Sequence, residues 1–281
     1  MGQRVITIDE LHQFEQYLRQ EERSAGTIEN YRRNMEELAG WLSGQEVTKE
    51  QLLAWKEELQ AKHLKPTTIN VKLAAVSCFL RYMGWQDCQV RFLRVQRRVF
   101  RERDRELTRV EYNKLLATAC QKGKSRLALL LETICATGVR VSEVQYITVE
   151  AAKRGRAEVK MKGKIRTILL PNKLCRKLLK YAQKENAVSG QIFLTRNGTV
   201  LSRKQIWAEM KALCKAADVA SGKVFPHNLR HLFATVFYRV CHDIVKLADV
   251  LGHSRIETTR IYLVTTGFEY ARQLEQLGLV S

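Results

Sequence analysis

The stretch HNLRH at residues 227–231 is followed by LGH at residues 251–253 and then by Tyr262. His227 and Arg230 are three positions apart and directly follow a proline, a common first residue of helices. On such a helix both side chains face the same side and can reach one phosphate group. The stretch therefore predicts a helix that supports phosphate chemistry close to a tyrosine.

An upstream segment, ATGVRVSE at residues 136–143, supplies a second arginine, Arg140. Two forked guanidinium groups can clamp a pair of nonbridging phosphate oxygens. Taken singly, Arg140 reads as a surface residue and Tyr262 as a core or helix-surface residue. His231 fits a hydrogen-bonded core histidine as well as a residue that supports a site. The combination favours phosphoryl transfer through the tyrosine.

The charge of the chain points to a polyanionic partner. Its 281 residues include 48 Lys and Arg against 29 Asp and Glu, a net charge of +19. Such an excess attracts nucleic acids first of all. Ribosomal and membrane-surface proteins share this charge, but the long, mixed C-terminal half is typical of neither. The length allows one large domain or two modest ones, and we expect two.

Cysteine usage and hydropathy indicate the cellular compartment. The seven cysteines are widely spaced and form no Cys-x-x-Cys pair, which predicts a reducing environment and no cysteine-based metal site. The N-terminus lacks the apolar run of a signal peptide, and no stretch of about 18 apolar residues occurs. We therefore expect a cytoplasmic protein with no membrane partner.

The N-terminal part shows helical periodicity. Residues 8–85 predict a bundle of four helices, with one helix start at Thr48, which has capping-box spacing to Gln51, and another at Pro66. An arginine-rich stretch from Arg91 to Arg105 then predicts an interdomain linker, and the alternative is the solvated face of one more helix. Either form can contact DNA phosphates. The arginines that we single out for DNA binding are Arg91, Arg94, Arg97, Arg98 and Arg101.

A second core begins after this stretch. Residues 107–111 predict a helix start, and the apolar run 127–134 predicts a buried helix that ends at Thr137-Gly138. Residues 157–170 are rich in β-branched side chains around one glycine, which predicts a hairpin that turns at residues 162–164. From there to the C-terminus the pattern is helical.

The motifs resemble those of the tyrosine recombinase, or phage integrase, family in its two-domain, Xer-like form. The matching segments are ATGVRVSE at 136–143, HNLRH at 227–231, LGHS at 251–254 and TTRIY at 258–262, together with SAGTIENY at 24–31 and TTIN at 67–70. The resemblance extends over most of the chain and rests on three motifs in the family's order, at residues 136–143, 227–231 and 251–262.

This resemblance implies a mainly α fold. Residues 1–88 would form a four-helix, SAM-like core-binding bundle, and residues 89–106 an Arg-rich linker. Residues 107–281 would form a mostly helical catalytic domain with a small β-sheet or hairpin, the DNA breaking-rejoining fold. Residues 263–281 would form a tail helix that packs on a neighbouring protomer or folds back onto its own domain.

The resemblance also implies roles for the motif residues. Tyr262 would attack a DNA phosphodiester and leave a 3′-phosphotyrosine. Arg140 and Arg230 would hold the nonbridging oxygens, His227 would assist removal of the tyrosine proton, and His253 would hydrogen-bond the scissile phosphate. The chain has no phosphate-binding glycine loop and no clustered carboxylates for two metals, so we expect neither cofactor nor metal.

The resemblance implies supporting or acid roles for three further residues. Glu143 would orient its neighbours, and His231 would support the site. The family's hairpin lysine, which protonates the leaving 5′-oxygen, matches Lys162. The family pattern GKGxKxR appears here as MKGKIR at residues 161–166, without the first glycine and one further residue, so Lys164 stays a rival for this role.

The expected partner is double-stranded DNA with a specific recombination site, bound by a homo-tetramer on paired sites. A partner recombinase or an excision factor is compatible with the sequence. The expected function is site-specific recombination, either integration and excision of a mobile element or Xer-type resolution. We expect no extra arm-binding domain of the kind found in longer family members, which disfavours a phage or transposon integrase without excluding one. The alternatives are DNA relaxation of the type IB topoisomerase kind and an inactive, sequence-specific DNA-binding protein.

Overall fold

The structure is a computed structural model that describes residues 4–95, 105–161, 164–262 and 275–278. The chain divides into two compact units, residues 1–97 and 98–281. No helix within the described ranges is both long and apolar enough to cross a bilayer. The fold class is the predicted one: the protein is mostly helical, with a small antiparallel sheet.

The first unit contains four α-helices among its described residues, as predicted. They are α1 (Ile8–Gln20), α2 (Ala25–Leu42), α3 (Lys49–Ala61) and α4 (Pro66–Tyr82), followed by a short 3-10 helix at Gln86–Cys88. Their apolar faces meet around Trp55, Phe14 and Phe79, all buried, and the two phenylalanine rings pack edge to face at 5.2 Å. A shared aromatic core of this kind holds the bundle together.

The predicted capping box at the start of α3 is half present. The Thr48 hydroxyl accepts a hydrogen bond from the backbone N–H of Gln51, so the helix does begin there. The Gln51 side chain, however, donates to Gln45 at 3.0 Å instead of returning to the cap. The Thr48 side chain therefore satisfies one of the free backbone N–H groups in the first turn of α3.

The second unit is built around the buried helix α6 (Ser125–Thr137). The other α-helices and strands described in it are α5 (Arg109–Gln121), α7 (Val149–Arg154), β1 (Arg156–Met161), β2 (Lys164–Leu169), α8 (Asn172–Lys184), α9 (Arg203–Cys214), α10 (Pro226–Cys241), α11 (Ile244–Leu251) and α12 (Ile256–Arg260). Short 3-10 helices lie at Val141–Tyr146, directly after Arg140, and at Ser221–Lys223. Thr108 and Glu111 form a full capping box that starts α5. Helix α6 packs against α5, α8 and α10.

The predicted hairpin is present as the antiparallel pair β1–β2, with Met161 opposite Lys164. The prediction of helices from the hairpin onward is wrong for residues 185–202. There the chain makes an isolated bridge between Leu194 and Val200 around a turn in which Gly198 has a φ of +73°. An Asn-Gly pair favours such a turn and interrupts helical structure.

Several predictions on chain segments fall outside the described residues. Residues 91–95 are described and are not helical, whereas residues 96–104 of the predicted linker lie outside. Of residues 263–281, where a tail helix is predicted, the structure describes residues 275–278. The boundaries 1–88, 89–106 and 107–281 stay predictions.

Candidate active site

Helix α10 brings together the histidines and the arginine of the HNLRH stretch. Pro226 occupies its first turn, where the missing N–H of proline costs no hydrogen bond. His227 and Arg230 follow on one side of the helix and line the same cavity. Arg230 is buried, with 3% of its surface exposed. A buried guanidinium needs several hydrogen-bond acceptors, because an uncompensated charge is costly in the interior.

Those acceptors are backbone carbonyls at two helix ends. Arg230 donates from Nη1 to the carbonyl of Gly138, which follows α6, and from Nη2 to the carbonyl of Leu251 at 2.8 Å. Gly138 adopts the left-handed conformation, with a φ of +62°. A Cβ there would lie 2.5 Å from Phe233 Cδ1, so glycine allows α6 and α10 to approach closely. The ends of helices thus supply the negative ends of peptide dipoles to the arginine.

The C-terminal turn of α11 binds three arginines through successive carbonyls. Arg166 Nη2 donates to Val250 at 2.8 Å, Arg230 Nη2 to Leu251 at 2.8 Å, and Arg140 Nη2 to Gly252 at 3.4 Å. The last carbonyls of a helix have no partner within the helix and carry partial negative charge, so they favour cations. We call this set, with the carbonyls of residues 250–252, the arginine cap.

Glu143 lies between two members of the arginine cap. Arg140 Nη1 donates to its Oε1 at 2.7 Å, the Arg140 backbone N–H donates to Oε2 at 2.9 Å, and Arg166 Nη1 contacts both oxygens at 3.1 and 2.9 Å. Burial would raise the pKa of Glu143, but the hydrogen bonds from Arg140 and the charge of Arg166 hold this pKa below its usual value. Glu143 is therefore an ionised group that orients both arginines. Its supporting role in a reaction stays a prediction.

His253 accepts a hydrogen bond from an arginine. Arg230 Nη2 lies 2.9 Å from its Nε2, and Nδ1 lies 2.9 Å from the hydroxyl of the buried Thr259. A guanidinium has no acceptor, so Nε2 accepts, and the neutral ring then carries its proton on Nδ1. Burial, followed by the charges of Arg230 and Arg140, lowers the pKa of His253 to about 4. The ring is neutral at physiological pH.

Tyr262 lies among the three histidines of the predicted site. Its ring centre is 5.9 Å from that of His227, 5.2 Å from that of His231 and 5.8 Å from that of His253, whose plane is nearly parallel at 11°. The Tyr262 side chain is buried, and its backbone N–H donates to the carbonyl of Thr259 at 3.0 Å. His231 is also buried, and its Nδ1 lies 3.4 Å from the Thr235 hydroxyl. His231 is thus a core histidine that also borders Tyr262, and its role in supporting the site stays a prediction.

One cavity joins these groups. Its volume is about 580 Å³, and its lining includes Arg140, His227, Arg230, His253 and Tyr262, with Arg203 and Trp207 of α9, Phe225, Pro226, Thr258, Ile261 and residues 139, 141 and 142. The cavity is therefore lined by three arginines and two histidines around a tyrosine. Among the described residues no group of His, Cys, Asp and Glu is arranged to hold a metal ion.

The remaining predicted residues lie elsewhere or outside the described part. Lys162 and the side chain of its rival Lys164 lie outside it, as do Arg97, Arg98 and Arg101. Arg91 and Arg94 are exposed in the first unit. Of these two, Arg91 has its backbone carbonyl bound by Lys56 Nζ at 2.8 Å.

Sequence reasoning missed four residues at the site. They are Arg166, Arg203, Trp207 and Thr259. Arg166 is the last residue of the hairpin motif MKGKIR. It matches the final arginine of the family pattern, but the sequence analysis gave it no role. Thr259 is three positions before Tyr262, and residues at this spacing on a helical turn are neighbours. The spacing could therefore have indicated that Thr259 lies near the tyrosine. For Arg203 and Trp207 no local pattern indicated that α9 would border the cavity.

The comparisons with known proteins agree with this geometry. Residues 105–266 match the phage integrase family, and residues 11–87 match the phage integrase N-terminal SAM-like domain. The chain is similar to the tyrosine recombinase XerA of Pyrococcus furiosus, with 27% identity over 79% of this chain and 78% of the relative. It is similar to the tyrosine recombinase XerD of Caulobacter vibrioides, with 30% identity over 75% of each chain.

Solved structures share the fold. A lambda integrase dimer bound to a COC′ core site aligns with a TM-score of 0.72 and 18% identity, covering 91% of this chain and 94% of the other. The XerH site-specific recombinase bound to a difH substrate aligns with a TM-score of 0.69 and 21% identity, covering 90% and 79%. The fold and the site define a DNA strand-transferring enzyme. The chain belongs to the phage integrase family of tyrosine recombinases.

Proposed function

We propose that this protein is a site-specific recombinase that cuts and rejoins double-stranded DNA through a 3′-phosphotyrosine intermediate. The observation that carries this proposal is the position of Tyr262, which shares one cavity with Arg140, Arg230, His227 and His253 of its own chain. Each group in the cavity matches a requirement of the reaction: a nucleophile, a base near it, and cations for the phosphate. One protomer supplies all of them.

The reaction follows from the chemistry of these groups. The Tyr262 oxygen attacks the phosphorus, the 5′-oxygen leaves, and the 3′-phosphate becomes linked to the tyrosine. A free phenol has a pKa of about 10 and is a weak nucleophile at neutral pH, so His227 accepts its proton. The leaving oxygen takes a proton from Lys162. Arg140 and Arg230 bind the nonbridging oxygens and stabilise charge that develops on the phosphate, at several kcal/mol in total by the usual scale of about 3 kcal/mol for each donor.

His253 has to change its hydrogen bonds when DNA binds. A phosphate oxygen accepts hydrogen bonds, so His253 can bind it through a protonated Nε2, the atom that faces Arg230 in the free protein. Arg230 Nη2 then turns to the phosphate and releases Nε2. The Thr259 hydroxyl can donate as well as accept, so it satisfies Nδ1 in either tautomer. We infer that Thr259 allows His253 to change tautomer without losing a partner.

The partner that we propose is double-stranded DNA that contains a specific site. The net charge of +19 supports this partner, as do the relatives whose structures hold DNA. Recombination between two duplexes needs four strand cuts, and each protomer has one Tyr262, so a homo-tetramer on paired sites is the proposed assembly. The same chemistry serves the integration and excision of a mobile element and Xer-type resolution, with or without a partner recombinase or excision factor.

The experiment compares the wild type with Tyr262→Phe on supercoiled plasmids that carry candidate sites from the flanks of its gene. Detergent and protease treatment then reveals covalent adducts and recombinant circles. Tyr238→Phe is the matched control, because this half-buried tyrosine of α10 lies outside the cavity. We expect adducts and recombinants with the wild type and the control, and neither with Tyr262→Phe. Adducts that persist in Tyr262→Phe would refute the assigned nucleophile, and relaxation without recombinants would indicate topoisomerase activity.

A further inference from the structure

Arg166 is a largely buried cation to which the reaction above assigns no role. Its side chain is 11% exposed, and burial, the leading cause, lowers its pKa to about 10. An arginine that is withdrawn from water but still charged at neutral pH is costly unless it is paired. Arg166 lies on β2, whereas its partners lie on the 3-10 helix that follows Arg140 and at the end of α11.

The contacts of Arg166 tie these segments together. Nη1 binds both oxygens of Glu143, and Nη2 binds the carbonyl of Val250, which precedes His253 by three residues. The same Glu143 orients Arg140, and the next two carbonyls of the arginine cap orient Arg230 and Arg140. Arg166 does not line the cavity. It binds Glu143, which orients Arg140, and the carbonyl next to the one that binds Arg230.

The fit around Arg166 is tight on the side that faces α11. Gly252 has a φ of +63°, and a Cβ at this position would lie 2.3 Å from Arg166 Cδ and 2.6 Å from Nε. No real Cβ sits so close to another heavy atom. The guanidinium is held at its far end, so the middle of the side chain has little freedom to move away. The glycine at residue 252 lets the arginine pass between the helix end and Glu143.

We propose that Arg166 is a positioning residue for strand cleavage, which holds Glu143 and the C-terminal turn of α11 together so that Arg140 and His253 meet the same phosphate. This inference rests on the proposed function. It predicts a loss of cleavage rate in protein that still binds DNA, because the groups that contact the phosphate remain present but are misplaced. Misplacement by about 1 Å can cost on the order of 100-fold in rate.

The test uses Arg166→Met, Arg166→Lys and Gly252→Ala. Formation of the covalent adduct is measured in a single turnover on a nicked site at saturating DNA, and the Kd is measured separately by gel shift. Arg126→Met is the matched control: Arg126 also binds one carboxylate, Glu209 at 2.6 Å, and one carbonyl, Leu194 at 2.6 Å, but away from the cavity. Thermal melting confirms that every variant is folded at the assay temperature.

We expect Arg166→Met to slow cleavage by about 10- to 100-fold with a Kd within about twofold of wild type. Arg166→Lys keeps the positive charge but lacks the planar guanidinium that binds Glu143 and Val250 together, so it should cleave faster than Arg166→Met and more slowly than wild type. Gly252→Ala should reproduce the defect while Arg166 is still present. In the Glu143→Gln background Arg166→Met should cost much less than alone, because the two residues act together. Arg126→Met should cleave at the wild-type rate.

In the cleavage and binding assays, two results would overturn the proposal. The first is cleavage by Arg166→Met at the wild-type rate, and the second is a loss of binding as large as the loss of cleavage, which would make Arg166 a DNA ligand. A second readout needs no cleavage. NMR titration of His253 should show a higher pKa in Arg166→Met, since the charge of Arg166 is among those that lower it, and no change in Arg126→Met. If the wild type forms no adduct, the proposed function fails, and an unchanged His253 titration would then refute the role of Arg166 separately.

Discussion

Replacement of Gly138 by alanine should destabilise the second unit far more than the same change at a matched glycine. Gly138 caps α6 with a φ of +62°, and Gly155 caps α7 with a φ of +70°. Both positions are left-handed, so a Cβ is unfavourable at either by about 1–2 kcal/mol. The two glycines differ in their surroundings.

The difference can be worked out from the neighbours. At Gly138 a Cβ would lie 2.5 and 2.8 Å from two ring atoms of Phe233 and 2.9 Å from Leu251 Cδ2. At Gly155 no described atom beyond the excluded chain neighbours lies within 4 Å of such a Cβ. Overpacking of this kind costs about 1–3 kcal/mol. We therefore expect a loss of about 2–5 kcal/mol for Gly138→Ala and about 1–2 kcal/mol for Gly155→Ala.

Hydrogen exchange measured by mass spectrometry suits this test, because it reports the free energy of opening for each helix separately. Peptides from α6 and α10 give the opening energy around residue 138, and peptides from α1 to α4 provide an internal reference. Gly138→Ala should also slow adduct formation, since the Gly138 carbonyl accepts from Arg230. Equal losses at the two glycines would refute the argument from close packing.

Three further predictions concern the histidine, its threonine and the arginines proposed to bind DNA. The pKa of His253 is about 4 in the folded protein against 6.5 for a free imidazole, so the unfolded chain takes up a proton first as the pH falls. Thermal stability should thus decrease from pH 6.5 towards 4, and less so in His253→Gln; parallel curves would contradict this. Thr259→Val should slow adduct formation about 3- to 10-fold, the equivalent of one hydrogen bond of about 1 kcal/mol, without changing the Kd; an unchanged rate would argue against its role. Arg91→Gln with Arg94→Gln should reduce the slope of log affinity against log salt by about 0.9 for each DNA phosphate that the double variant leaves without a cation; an unchanged slope would exclude both as DNA ligands.

The elements that the sequence predicted well are those with local causes. The capping box of Thr108 and Glu111 starts α5, Pro226 starts α10, and Gly138 ends α6. Each depends on groups within four residues, which a sequence displays directly. The grouping of Arg140, His227, Arg230, His253 and Tyr262 in one cavity was predictable for another reason, since their motifs resemble those of the tyrosine recombinase family in the same order.

What the sequence did not reveal depends on interactions between distant segments. Arg166 binds the carbonyl of Val250 across 84 positions, and the carbonyl has no side-chain signature. The approach of α9, with Trp207, to the cavity depends on how helices pack, and the irregular residues 185–202 set where that helix begins. Periodicity shows which face of a helix is apolar but not which helix it meets.

The arginine cap also bears on the energetics of the protein before DNA arrives. Arg140, Arg166 and Arg230 repel one another: the charges of Arg230 and Arg140 both lower the pKa of Arg166. Glu143 and the α11 carbonyls compensate for part of this repulsion. In the reaction proposed above, a phosphate bound by Arg140 and Arg230 would relieve more of it once Arg230 Nη2 turns away from His253. On the proposed function, the protein without DNA thus gives up stability of its own and gains affinity for the phosphate that it cleaves.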